Sequence, residues 1–401
     1  MTNKYVAVIT PMRNAKDTIL LAMQSVAYQS VGYGGVKHFI YDDASCDKSS
    51  DSVRNFIKLN PLCNISIVEN SGIQKGQSHG RNELISRALS EGYQYIAFLD
   101  ADDVWNFDHL EVSRENVFTC DVSYSIPKIT DGINVLKPYG ITVPKVFIGK
   151  QLELNNYIWI SGVMARAKCF RDEEFDSNLD SIEDWDMWYR LFKRSRIFKC
   201  TGKQTFKYLV RKGGSAAMGG SKLDLLRKKH GFKLNGIKLN LACGDDYRED
   251  YINVDFFPKP GAKIDSAFDV KIIPYEDNSV DEVRASHIIE HFDFHEIPKI
   301  LEEWYRVLKP GGKLFIETPD FLESCRAFVS GDENFRILLY GHFFAMPWEN
   351  AGMVHKFLFT ENQLRTNLGW AKFRDMRRVE PQSWYVRPDT YKLFLAMEAI
   401  K

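Results

Sequence analysis

Two places along the chain open on an apolar run that breaks at a turn: Tyr5-Val-Ala-Val-Ile-Thr10 and Ile237-Lys-Leu-Asn-Leu-Ala242. Short runs of aliphatic residues bounded by turn formers predict buried strands. Behind the first run come Val36-Lys-His-Phe-Ile-Tyr41 and Tyr95-Ile-Ala-Phe-Leu99, each ending in aspartates. Behind the second come Ile252-Asn-Val254, Glu282-Val-Arg-Ala-Ser-His287 and Leu314-Phe-Ile-Glu-Thr318. The stretch Ile300-Leu-Glu-Glu-Trp-Tyr-Arg-Val-Leu308 reads as a helix, stopped by a turn at Lys309-Pro-Gly-Gly-Lys313. Strands alternating with helices predict, twice over, a mostly parallel sheet with helices on its faces.

Between the two halves runs Lys212-Gly-Gly-Ser-Ala-Ala-Met-Gly-Gly-Ser-Lys222, followed by the basic Leu225-Leu-Arg-Lys-Lys-His-Gly231. The glycine-rich window lacks the G-x-x-x-x-G-K-[ST] spacing of a phosphate loop, so it reads as a loop or linker. The expected domains are 1–230 and 231–401, as a chain of 401 residues exceeds what one core usually serves.

Composition narrows the classes. Basic and acidic residues balance at 53 each, which argues against a nucleic-acid partner, although Arg227-Lys-Lys229 keeps a local patch for DNA or anionic lipid. Apolar residues make up 44% and aromatics 13%, as in packed globular proteins. The seven cysteines are scattered and never in C-x-x-C, which predicts reduced thiols. No run approaches the length of a membrane span or a signal peptide. The expectation is a cytoplasmic, soluble chain, at most peripheral to a membrane.

In the first half, Tyr-Ile-Ala-Phe-Leu-Asp-Ala-Asp-Asp-Val-Trp over 95–105 stops at Asp100, Asp102 and Asp103. Carboxylates crowded at a strand end repel unless a cation neutralises them, and oxygen ligands suit Mg2+ or Mn2+ bridging to a diphosphate. A second strand ends in Asp42-Asp43, so two strands aim acids at one sheet edge, where ligand sites of α/β folds form. Thr10-Pro-Met-Arg-Asn14, Asp42-Asp-Ala-Ser45, Gly80-Arg-Asn82, Asp100-Ala-Asp-Asp103 and Glu183-Asp-Trp185 follow one another in that order.

This order resembles that of family-2 GT-A glycosyltransferases, over roughly residues 4–215, with Tyr208-Leu-Val-Arg-Lys-Gly-Gly-Ser215 similar to their closing segment. The resemblance implies a nucleotide-sugar donor gripped by Pro11, Asp42, Asp43, Arg81, Asp100 and Asp102. Of these, Pro11 and Asp43 meet the nucleoside, Asp100 the ribose, and Asp102 the metal. It further implies that Asp184 is the general base for an acceptor hydroxyl, with inversion at the anomeric carbon. Glu183 and Asp184 also suit a plain helix start, where carboxylates favour the positive end.

In the second half, Leu239-Asn-Leu-Ala-Cys-Gly244 breaks at a glycine, and Ile252-Asn-Val-Asp255 ends in an acid that can accept ribose hydroxyls. With Ala285-Ser-His-Ile-Ile-Glu-His291 and Arg306-Val-Leu-Lys-Pro-Gly-Gly312, the order over 236–380 resembles that of class I S-adenosylmethionine-dependent methyltransferases. Two Rossmann-like domains are therefore expected. The resemblance implies Ala242 and Gly244 against the methionine part of the cofactor, Asp255 on the ribose, Asp269 and Val270 at the adenine, and His287 beside the methyl group. Of the usual G-x-G-x-G loop only the middle glycine remains, flanked by Ala242 and Asp246.

His287-Ile-Ile-Glu290-His291 spells H-x-x-E-H, a zinc signature of certain proteases. That chemistry needs both histidines on one face of a long helix. Here His287 closes a strand and the helix starts near Ile288, so no metal site is expected. Two readings stay open: His287 or His291 takes a proton from an acceptor hydroxyl, or His291 merely packs the following helix. His355 is a candidate for the acceptor pocket.

The expected protein is an enzyme joining an inverting, metal-dependent glycosyltransferase to a methyltransferase that modifies, chiefly at oxygen, the same sugar or glycan. Its acceptor would be a glycan or lipid-linked saccharide. Alternatives are a second domain that only binds cofactor or acceptor, and a glycosyltransferase acting on nucleic-acid bases.

Overall fold

A computed structural model of the chain describes residues 5–30, 35–130, 135, 144, 146–209, 220–232, 234–331, 336, 339, 340, 343, 344, 354–383 and 388–401. The chain divides into two compact units, Met1–Phe232 and Lys233–Lys401.

In the first unit the described strands are β1 (Val6–Met12), β2 (Val36–Asp43), β3 (Ile65–Asn70), β4 (Tyr95–Phe98), β5 (Val104–Trp105), β6 (Val122–Thr130), β7 (Val163–Arg166) and β8 (Phe198–Leu209). They form one sheet in the order β3-β2-β1-β4-β7-β6-β8-β5. The first four neighbours are parallel, with Met12 beside Asp42 and Ile9 beside Phe98, so the loops after β1, β2 and β4 leave from one edge. Beyond β4 the sheet turns mixed, since β7 is antiparallel to both β4 and β6.

The continuous apolar run of β1 has a direct cause in packing. Ala7 and Ile9 belong to one buried cluster with Phe98 and Trp188, and Val6 and Val8 belong to another with Ala97 and Leu99. A strand covered on both faces has no polar positions to alternate. The helix Glu183–Lys193 packs into the first cluster. Its Trp185 and Trp188 are buried, and their ring N–H groups donate to the carbonyls of Leu152 at 2.5 Å and Ile158 at 3.0 Å. Anchored so, the helix holds its first turn at a fixed place.

The helix Gly220–His230 changes one expectation. Residues 212–219 of the expected linker lie outside the described residues, but 220–222 begin a helix that packs onto the first unit. Leu226 is fully buried in the same cluster as Trp188. Lys229 and His230 both reach Asp186 at 2.8 Å, and Lys229 also pairs with Asp176 at 2.8 Å. Part of the basic cluster is therefore spent inside the unit, which leaves Arg227 and Lys228 exposed as a thin basis for contact with DNA or lipid.

The second unit contains β9 (Lys238–Leu241), β10 (Ile252–Val254), β11 (Val280–Ser286), β12 (Leu308–Pro319), β13 (Arg374–Val379) and β14 (Phe394–Ile400), in the order β10-β9-β11-β12-β14-β13. The first four are parallel, and β14 runs antiparallel to β12 and β13. The expected turn at Lys309–Lys313 proves to be a bulge inside β12: opposite β11 the partner shifts from Leu308 to Lys313 across two residues. Gly311 supplies the left-handed φ of 79° that the kink requires. The helix Ile297–Val307 buries Ile297, Ile300, Leu301, Trp304 and Val307, a 3–4 residue stripe facing the sheet. Both units are α/β, as their strand–helix alternation predicted.

All seven cysteines are free thiols. Among the described residues no helix is long and apolar enough to cross a membrane.

Candidate functional site

Behind β4 the chain turns through three carboxylates, Asp100, Asp102 and Asp103. Asp100 is about a quarter exposed, at 28%. Its backbone N–H donates to Ser161 Oγ at 3.0 Å, which pins the strand's end. Asp102 is half-buried, whereas Asp103 is buried. One oxygen of Asp103 accepts the Leu209 N–H at 3.2 Å, and the other has no partner among the described residues. Burial pushes the Asp103 pKa well up, with repulsion from Asp100 and Asp102 adding to it. Burial also raises the Tyr208 hydroxyl, and Asp103, Asp100, Asp102 and Asp184 add to that rise, so all four acids converge on one ring. The rest of the expected closing segment, 210–215, lies outside the described residues.

Asp184 stands in the first turn of the helix Glu183–Lys193. Asn156 Nδ2 donates to its Oδ2 at 2.9 Å and the Trp185 N–H to its Oδ1 at 2.7 Å. Burial, then the charge of Glu183, pushes its pKa up to about 7. A carboxylate that changes protonation near neutrality, held by an amide and aimed from a rigid helix, is suited to accept a proton.

Arg81 occupies a different place from the one expected. Its side chain is only 1% exposed and bridges Asp100 Oδ1, at 2.7 Å, to Glu183. Burial disfavours its charge, but Asp100 and Glu183 outweigh that and raise its pKa. Arg81 is thus a buried tie between the carboxylate loop and the helix that carries Asp184. Asp42 and Asp43 are likewise engaged by their own loops. Asp42 accepts the Ser45 N–H at 3.1 Å and the Ser50 hydroxyl. Asp43 accepts the N–H groups of Lys75 and Gly76, both at 2.9 Å, and Asn70 Nδ2 at 3.1 Å. Asp42 thereby fixes the start of the helix Ser49–Leu59, and Asp43 the loop that leads into the helix Gln77–Ser90. Pro11 is buried in β1 beside Tyr41, at the same edge.

Glu183, Asn156 and Ser161 were not anticipated as site residues. Glu183 carried a signal, because an acid beside a proposed base invites the question of what neutralises it. Asn156 and Ser161 carried none. The set is rich in hard oxygen donors brought to one place, which fits a divalent cation of the Mg2+ or Mn2+ type.

In the second unit, parallel β9, β10 and β11 bring three loops to one edge. Ala242 and Gly244 both take left-handed φ values, 50° and 49°. Gly244 N–H donates to Asp255 Oδ2 at 3.0 Å, and Phe257 N–H to Asp255 Oδ1 at 2.9 Å. Each oxygen of Asp255 keeps a second acceptor site for a diol. A Cβ on Gly244 would meet nothing within 4 Å, so the backbone there faces open space. Asp246, where the fingerprint has its third glycine, pairs with Arg248 at 3.1 Å and with buried Arg284 at 3.4 Å. Asp269 Oδ1 caps its own loop through Lys271 N–H at 2.9 Å, and the Val270 carbonyl accepts from Trp304 Nε1 at 3.0 Å. The open backbone at Gly244 beside an acid with free acceptor sites fits a nucleoside cofactor with a ribose diol.

The histidines need a correction. His287 follows β11 with a left-handed φ of 53°. Its Nδ1 lies 3.2 Å from Glu290 Oε1 and its Nε2 3.1 Å from Glu317 Oε1, both carboxylates fully buried. A ring facing carboxylates on both sides must donate from both nitrogens, as imidazolium. Burial would lower its pKa, but the bonds to Glu290 and Glu317 raise it to about 9. Both the contacts and the raised pKa favour the imidazolium, the form that donates a proton rather than accepts one. His291 lies in the short turn Ile289–His291, partly exposed, with Nδ1 3.2 Å from the Val354 carbonyl.

Comparison with known proteins agrees with this division. The model of Glycosyl transferase family 2 matches residues 7–167, and that of a Methyltransferase domain matches 243–316. A Bacillus subtilis protein, TuaG, whose name assigns it to teichuronic acid biosynthesis as a glycosyltransferase, is 33% identical over 127 residues, 31% of this chain and 47% of its own length. The Escherichia coli UDP-Glc:alpha-D-GlcNAc-diphosphoundecaprenol beta-1,3-glucosyltransferase WfaP is 27% identical over 239 residues, 58% of this chain and 87% of its own. The chain thus spans under half of the first relative and most of the second. The crystal structure of a SAM dependent methyltransferase from Archaeoglobus fulgidus shares 17% identity and covers 44% of this chain and 92% of its own, with a TM-score of 0.29. The chain carries a glycosyl transferase family 2 domain followed by a methyltransferase domain.

Proposed function

We propose that the first unit transfers a sugar, with inversion, from a nucleotide-sugar to a hydroxyl of a lipid-linked saccharide, and that the second methylates an oxygen of that sugar or glycan using S-adenosylmethionine. The observation that carries the first half is Asp184, half-buried, raised to about 7 and placed by the Asp100–Arg81–Glu183 bridge beside the carboxylate loop. In its ionised form Asp184 would take the acceptor proton as that oxygen bonds to the anomeric carbon and the bond to the diphosphate breaks. Asp102 would hold a divalent cation; when bound, such an ion supplies positive charge for the departing diphosphate. Asp100 would orient the donor, and Arg81 keeps Asp100 and the helix carrying Asp184 in register. The lipid-linked acceptor is supported by what WfaP is named to use.

For the second unit the support is the open Gly244 backbone beside Asp255, and Asp269 and Val270 would meet the adenine. Asp255 would accept the ribose hydroxyls.

One experiment tests both halves. The full chain is screened against nucleotide-sugars and lipid-linked acceptors with Mn2+, reading diphosphate release, and then given S-adenosylmethionine labelled in its methyl group. Sugar transfer followed by label in the glycosylated product supports the reading. Binding of S-adenosylmethionine without any methyl turnover would make the second unit a binding module, and no diphosphate release with any donor would overturn the first half.

A further inference from the structure

The H-x-x-E-H stretch does not form the two-histidine helix of a protease, yet the structure gathers two of its residues with a third from far along the chain. The left-handed φ of 53° at His287 turns the chain sharply after β11, and the short turn Ile289–His291 then sends Glu290 inward to full burial. The Glu290 carbonyl accepts the N–H groups of Lys356 at 2.8 Å and Phe357 at 3.1 Å, which lays the segment carrying His355 alongside. One ligand atom from each of Glu290, His291 and His355 lies within 4.8 Å of the other two. The imidazoles of His291 and His355 stand 4.9 Å apart between centroids, tilted at 62°.

Two further observations point to a ligand. Glu290 Oε2 is buried and has no hydrogen-bond partner among the described residues, although an oxygen left dry in that way is costly. The supporting contacts are also those that metal ligands receive. His291 Nδ1 at 3.2 Å from the Val354 carbonyl can only donate there, which leaves its Nε2 lone pair available. Glu290 Oε1 is held at 3.2 Å by His287, itself braced by Glu317, and lies 4.0 Å from His355 Nε2, while Oε2 has no partner among the described residues.

We propose that Glu290, His291 and His355 form a mononuclear site for a divalent first-row transition-metal ion, of the Zn2+ class, in the methyltransferase unit. Two imidazoles and one carboxylate are the ligand set of sites that keep a position open. Bonds of ordinary length require ligand atoms about 3.4 Å apart, so the three side chains close in by modest rotations. The histidines are partly exposed, and His291 follows β11 at the sheet edge from which the loops bearing Gly244 and Asp255 also leave. A role for the ion in presenting an acceptor oxygen rests on the methyltransferase reading; binding of the ion does not. Without a metal the same groups would be a buried ion-pair cluster centred on His287, and experiment separates the two.

The test uses the full chain with Asp102→Asn, to remove the cation site of the first unit, stripped by chelation and titrated with Co2+. One equivalent should bind, giving the visible ligand-field bands of a low-coordinate ion with nitrogen ligands. Glu290→Gln and His355→Ala in that background should lose the bands. His287→Asn, which tolerates the left-handed backbone, should keep one equivalent but weaken affinity about 10- to 100-fold. Calorimetry with S-adenosylmethionine on each protein reports whether the unit is folded. If the Asp102→Asn protein binds S-adenosylmethionine but no Co2+, or binds Co2+ equally with and without Glu290→Gln, the metal site is refuted while the methyltransferase reading stands.

Discussion

Arg81 offers the sharpest check on how the first site is built. Its guanidinium is 1% exposed, Glu183 is 3% exposed, and Asp100 is the second partner. Arg81→Met keeps the volume and removes the charge, leaving Glu183 buried with only Gln77 Nε2, at 2.8 Å, and the Ser181 N–H, at 2.5 Å, beside its carboxylate. Removing one partner of a buried pair costs about 3–5 kcal/mol, mostly as the stranded charge. For a unit of this size each kcal/mol moves the midpoint by roughly 2–4 °C, so calorimetry of the full chain should show one transition lowered by about 6–20 °C. Arg81→Met with Glu183→Gln removes the stranded charge and should recover much of that loss. The pH profile gives an independent readout. Arg81 holds the Asp184 pKa down, against the push of burial and Glu183. Without it the pKa rises, and the pH at which transfer switches on shifts to the alkaline side. Adding Glu183→Gln should shift it back. If Arg81→Met is thermally silent, or if the double variant is no more stable than the single, the bridge does not organise the site.

Three further outcomes are expected. In the wild-type protein kcat/KM for transfer should climb with pH through about 7, since only ionised Asp184 accepts a proton, and Asp184→Asn should lower kcat by about 10²–10⁴ while donor binding by calorimetry persists. Asp255→Asn should weaken S-adenosylmethionine about 10- to 150-fold, the worth of a hydrogen bond to a charged group, with no change in sugar transfer. Gly76→Ala should destabilise the first unit by more than about 1 kcal/mol in urea unfolding, because φ is +91° there and a Cβ would sit 2.0 Å from Asp180 Oδ2.

What could be read ahead of the structure follows from the range of the forces involved. β1 and β4 are visible because strands covered on both faces are apolar nearly throughout, and that requirement is local. The acids at the ends of β2 and β4 are visible because they interrupt those apolar runs. The Arg81 bridge is not legible in the sequence because its partner Glu183 lies 102 residues away and nothing near either residue announces the pair. The setting of His287 is hidden because it is held by Glu317, 30 residues on and in the neighbouring strand, as much as by Glu290 close by. Glycine and basic residues hid the helix Gly220–His230. Its main buried apolar contact is Leu226, and its attachment is largely ionic, which leaves little periodic pattern to find.

That attachment bears on where the chain can be cut. The segment 210–219 starts from β8 and ends at a helix clamped by Asp186 and Asp176, so both of its flanks are fastened to the same body. A protease nicking there would sever the covalent link without releasing the pieces, which should still comigrate on a sizing column until denaturant is added. A fragment ending before Gly220 would expose the surface that Leu226 fills and strand Asp186 with Arg190 as its remaining cation, at 2.8 Å, so the shortest sound version of the sugar-transferring half runs to Phe232.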